Sequence, residues 1–176
     1  MSIREIVFTP DPVLRRKARK VTDFGPELQT LIDDMVETMR SAPGVGLAAP
    51  QVAESWQVIT IEYSEESEEG EEGEEKVPPK LYTLVNPQIT RASNETIVGT
   101  EGCLSVPGIV GEVERNEAVT VKAQNRRGQP VTIKAQDWLA RIFQHEIDHL
   151  EGVLFTDLTD ELWRPEEHPD REIPLD

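Results

Sequence analysis

The run His145-Glu146-Ile147-Asp148-His149 holds the residue types of a metal-assisted hydrolytic site. On an α-helix, residues four apart lie on one face, so the imidazoles of His145 and His149 can converge on one cation. Glu146 then stands beside the first imidazole, close enough to touch a water on that cation without ligating it. A catalytic metal typically takes three protein ligands and leaves the next position to water, so a third donor must come from elsewhere. The chain offers one further histidine, His168, in a Pro- and acid-rich tail, and one cysteine, Cys103. A lone cysteine is more often a small buried hydrophobe than a ligand. Gly102 before it and Pro107-Gly108 after it, however, predict an irregular segment in which a thiol can be aimed.

The elements that must position these groups are legible from periodicity. Around the His-Glu-Ile-Asp-His run, Trp138, Leu139, Ile142, Phe143, Ile147 and Leu150 recur at helical spacing, and Gly152 is placed to end a helix over 136 to 152. An earlier helix is expected from residue 26 to about residue 40, its stripe Leu28, Leu31, Ile32, Met35, Val36 and Met39 reading as core. Between the two, Gly44-Val45-Gly46-Leu47-Ala48-Ala49-Pro50-Gln51 reads as a tight loop that presents an amide. No Lys-Ser/Thr follows, so a phosphate-cradling role is excluded. Strands are expected over 57–63, 81–86, 95–99, 112–115, 118–124 and 131–135, with Asn125-Arg126-Arg127-Gly128 turning the last pair.

The chain has 176 residues, enough for one domain with a substantial core. Its net charge of -16 argues against binding nucleic acid or an anionic membrane. Half of that charge comes from eight glutamates between Ser64 and Glu75, expected as a solvated insertion over 64–79 between two strands. No segment approaches the ~18 apolar residues of a membrane span, and a single thiol suits a reducing cytosol. The domain is expected over 1–155, followed by a loosely held extension over 156–176.

Taken in order, Gly44 to Gln51, Glu101-Gly102-Cys103-Leu104-Ser105 and Gln144-His145-Glu146-Ile147-Asp148-His149 closely resemble the three signature motifs of the peptide deformylases, and the likeness extends over most of residues 3 to 155. The resemblance implies one metal ion held by Cys103, His145 and His149, commonly Fe2+, with Zn, Ni or Co able to satisfy the same donors. It implies removal of the formyl group from the initiator methionine of nascent chains, with release of formate. Metal-bound hydroxide would attack, Glu146 would act as general base and then acid, and the Gln51 side chain and the Leu104 backbone N–H would stabilise the oxyanion. The methionine pocket would be formed by Val45, Gly46, Trp138, Arg141 and Ile142, with Arg141 at its rim, its stem inward. Asp148 could pair with a cation such as Arg115, and Glu101 could brace the loops near Gln51 by accepting backbone N–H bonds. The expected partner is a formyl-Met N-terminus, near the ribosome and in the cytoplasm, with no specific nucleic acid, no membrane and a monomeric enzyme.

The expected fold is α+β: mixed or antiparallel sheets around a central metal-binding helix, with the amino-terminal helix packed outside. Two other readings compete. A zinc peptidase shares His-Glu-x-x-His but usually finds its third ligand downstream, whereas Cys103 lies upstream. A structural metal module would need a fourth protein ligand, and none is evident.

Overall fold

The structure is a computed structural model and describes residues 2–42, 44–65 and 78–171. Most of the glutamate-rich insertion expected over 64–79 lies outside the described residues. Helix α1, Pro26–Ser41, has Pro26 at its start and an apolar face formed by Leu28, Leu31, Ile32, Met35 and Met39, all buried. Helix α2 spans Asp137–Leu150. The strands are β1 (Gly46–Ala48), β2 (Val58–Tyr63), β3 (Lys80–Ala92), β4 (Thr96–Cys103), β5 (Val106–Asn116), β6 (Ala118–Gln124), β7 (Pro130–Gln136) and β8 (Leu162–Trp163).

Two sheets result, in the orders β1-β2-β3-β6-β7 and β4-β5-β8, and every strand pairing within them is antiparallel. Strand β2 is buried on both faces, and its alternation sorts its side chains between the helices. Val58 joins the α1 cluster with Leu31, Met35 and Leu47, while Ile59 and Ile61 join Leu139, Phe143 and Leu150 of α2. The amino-terminal helix therefore covers the far side of the larger sheet from α2. On its other flank α2 meets β5, where the Gln144 side-chain amide grips both the N–H and the C=O of Asn116 at 3.1 and 2.9 Å. Phe143 is fully buried and packs edge-on against Tyr82, a side chain whose burial alone contributes about 1.5–3 kcal/mol.

Strands β3, β4, β5 and β7 run longer than alternation suggested, and irregularities in β3 and β4 accompany the difference. Strand β3 continues past Asn86, which takes φ 53 at a register shift and holds it with its side chain. The segment about Cys103, expected to be irregular, is instead the end of β4, with a register shift between Gly102 and Cys103 and a tight turn at Leu104–Ser105. That shift does the aiming expected of an irregular loop. Likewise the Gly44–Gln51 loop becomes strand β1 and a 3-10 turn over Ala49–Val52. Beyond residue 156, read from the sequence as a loosely held tail, β8 pairs with Val110 and Gly111 of β5 and Trp163 is 7% exposed. Among the described residues, no helix is long and apolar enough to cross a membrane.

Candidate metal centre

Helix α2 carries His145 and His149 one turn apart, their rings 5.1 Å between centroids, and β4 delivers Cys103 to the same point. One ligand atom from each of Cys103, His145 and His149 lies within 4.8 Å of the others. Cys103 Sγ is 3.4 Å from His149 Nε2. A soft sulfur and two imidazole nitrogens suit a borderline divalent metal, so the donor set fits a divalent ion of the kind the family resemblance implied.

Each donor is aimed by its neighbours. His145 places Nδ1 2.8 Å from Glu101 Oε1, which fixes the ring plane and leaves Nε2 toward the cluster. Burial pushes His149 well below the ordinary histidine value, and the charges of His145 and Arg115 add to this, which favours the neutral ring that a metal ligand requires. Burial opposes charge on His145 too, but its bonds to Cys103 and Glu101 and the charge of Glu146 outweigh that and raise it.

Glu146 is 4% exposed, and its Oε2 has no hydrogen-bond partner among the described residues. Burial is the main reason its carboxyl rises to about 7, with His145 opposing and Glu101 reinforcing. Gly46 permits this placement: a Cβ there would stand 2.6 Å from Glu146 Oε1. Gln51 is 2% exposed; its Oε1 accepts the Ala48 N–H at 3.0 Å, which turns Nε2 toward Ser105 Oγ at 3.1 Å and Cys103 Sγ at 3.6 Å. The N-terminal segment joins the two loops, for Val7 N–H donates to Gln51 O and Thr9 N–H to Ser105 O. Ser105 was not singled out from sequence, although its place two residues after the cysteine was a signal.

A cleft opens beside the cluster, lined among others by Val45, Gly46, Leu104, Trp138, Arg141 and Ile142. Arg141 differs from its expected place at the rim. It is 3% exposed, and its guanidinium donates to Glu101 Oε2, Val113 O and Ile97 O at 2.6, 2.9 and 2.7 Å. Glu101 also departs from expectation. Its carboxylate accepts side-chain donors from Arg115, Arg141 and His145 in place of backbone amides, because those cations need a buried counter-charge. Burial alone would raise Glu101, yet the bonds from Arg115 and His145 hold it well below the usual carboxylate range. Asp148 pairs with Arg115 at 2.6 Å, joining α2 to β5.

Residues 3–164 match the family described as polypeptide deformylase. The chain is 50% identical over 157 residues to a peptide deformylase of Symbiobacterium thermophilum, spanning 89% of this chain and 67% of that protein. It is 43% identical to one from Natranaerobius thermophilus, spanning 95% and 99%. In fold it is similar to the crystal structure of a peptide deformylase from Legionella pneumophila, with TM-score 0.78 and 43% identity over 90% of this chain and 87% of that one. A Thermotoga maritima peptide deformylase gives TM-score 0.78 and 39% identity over 91% and 99%. The chain belongs to the polypeptide deformylase family of metal-dependent hydrolases.

Proposed function

We propose that this protein hydrolyses the formyl amide of N-terminal formylmethionine on nascent chains and releases formate, with Cys103, His145 and His149 as its metal ligands. The observation that carries this reading is the convergence of one sulfur and two imidazoles within 4.8 Å beside a buried carboxylate. The ion proposed is Fe2+. When bound, the metal supplies Lewis acidity, polarising the formyl oxygen and making water acidic enough to attack at neutral pH.

The chain's own residues perform the proton work and the positioning. Glu146, with a carboxyl near 7, takes the proton of the attacking water and returns it to the amine nitrogen, which leaves poorly unless protonated. The charge that builds on the formyl oxygen is met by Gln51 Nε2 and the Leu104 N–H. Gln51 suits this task because Ala48 already orients its amide, so little reorganisation accompanies the reaction. The methionine side chain lies along Val45, Gly46, Trp138, Arg141 and Ile142. Residues 1–155 form the catalytic unit of a monomer, with the 64–79 insertion and the extension from 156 outside the chemistry. With nascent chains as its substrate, the enzyme would act in the cytoplasm near the ribosome.

The test compares formate release from formyl-Met peptides with cleavage of unblocked peptides, using protein purified without oxygen. Formate release without peptide-bond cleavage is expected. Cleavage of the unblocked peptide with no formate would overturn the proposal in favour of a peptidase.

A further inference from the structure

Arg141 and His145 sit four residues apart on one face of α2, and both contact the same buried carboxylate. Arg141 Nη1 is 2.6 Å from Glu101 Oε2, and His145 Nδ1 is 2.8 Å from Glu101 Oε1. We infer that Arg141 is a positioning residue that sets the His145 ring through Glu101, an inference that rests on the ligand role proposed above for His145.

Glu101 receives four contacts, two on each oxygen. Arg115 supplies one to each, from Nε and Nη2 at 2.8 Å, but its third nitrogen is drawn to Asp148 and it belongs to β5, a separate element. Arg141 closes the other half of the clamp from the ligand's own helix. Bridging two successive turns of α2, the carboxylate can neither slide along the helix nor turn away from the imidazole. The guanidinium is itself held, since Nη1 also donates to Val113 O of β5 and Nη2 donates to Ile97 O of β4. Strand β4 is shaped for it: at Gly99 a Cβ would lie 2.8 Å from Arg141 Cζ. On the cleft side the guanidinium lies 5.6 Å from the centroid of the Trp138 ring. One side chain thus links a wall of the substrate cleft to the orientation of a metal ligand.

The test loads wild type and Arg141→Met with Co2+ and follows its visible absorption band, its release to excess chelator well below the melting temperature, and kcat and KM with a formyl-Met peptide. Loss of an outer partner of a ligating histidine weakens metal retention roughly 10–100-fold; Arg141 acts one contact further out, so release about tenfold faster is expected, with a shifted band and a lower kcat. An unchanged band and release rate would overturn the inference. A higher KM alone would then leave Arg141 as cleft wall, and a lower melting temperature alone would leave it as a structural residue. Should Arg141→Met not fold, Arg141→Lys, which lacks the fork but keeps the charge, is read the same way: faster release supports the inference and wild-type release overturns it. Co2+ retention is read without substrate, so a failure of deformylation in the wild type would register separately.

Discussion

Glu101 and His145 are joined by a 2.8 Å contact between a carboxylate oxygen and the ring Nδ1, in a place where Glu101 is 4% exposed. The carboxylate also faces two buried guanidiniums, Arg115 and Arg141. Glu101→Ala leaves both without their shared counter-charge. Breaking a buried pair from one side costs about 3–5 kcal/mol, and urea denaturation of the metal-free protein is expected to show a loss of that size.

Asn86 holds a second position where one side chain governs an element. It adopts φ 53, accepts the Val21 N–H at 2.9 Å and donates to Val21 O and Gln124 Oε1 at 2.9 and 2.8 Å. Asn86→Ala strands these partners and replaces a residue that tolerates the left-handed region through its polar side chain with one that does so less readily. A loss of about 2–3 kcal/mol is expected from the unpaired groups and the backbone together, read by thermal denaturation with metal content unchanged.

The site and the fold were unequally legible in the sequence. Helix α1 could be read because Leu28 to Met39 repeat at 3.6 residues, and α2 because the same stripe surrounds two histidines four apart. The long strands β3 and β5 could not, since their twists and shifts are set by Asn86 and by pairing across the sheet, which leaves no local period. The cations that meet Glu101 lie 14 and 40 residues away along the chain; only folding makes Arg141 a neighbour, so from sequence it read as a rim residue. Strand β8 was hidden for a related reason. Leu162 and Trp163 are a short apolar pair whose partner is an edge of β5.

Acid should weaken the fold through Asp34. Burial alone would raise its carboxyl, but the Ser2 N–H at 2.8 Å and the Arg4 guanidinium at 2.9 Å bring it below the ordinary 3.8. A carboxyl lowered on folding stabilises above its unfolded value and loses that contribution as pH falls through its folded value. Stability is therefore expected to decline below pH 3.8 more steeply in the wild type than in Asp34→Asn, measured by denaturation at stepped pH.

Gly46 is expected to matter for turnover more than for folding. A Cβ there meets Glu146 Oε1 at 2.6 Å, so Gly46→Ala displaces the carboxyl proposed to carry the proton. Misplacing a catalytic group by about 1 Å costs on the order of 100-fold; a fall of roughly that size in formate release is expected, with metal content and melting temperature close to wild type.

The most direct test of the central claim replaces Glu146 by alanine and measures metal content and formate release on the same preparation. The account predicts one metal ion per chain, as in the wild type, and a fall in kcat of about 100- to 10,000-fold, the range of a lost general acid–base group. Metal retention with wild-type turnover would contradict it, because the proton would then be carried by some group other than Glu146.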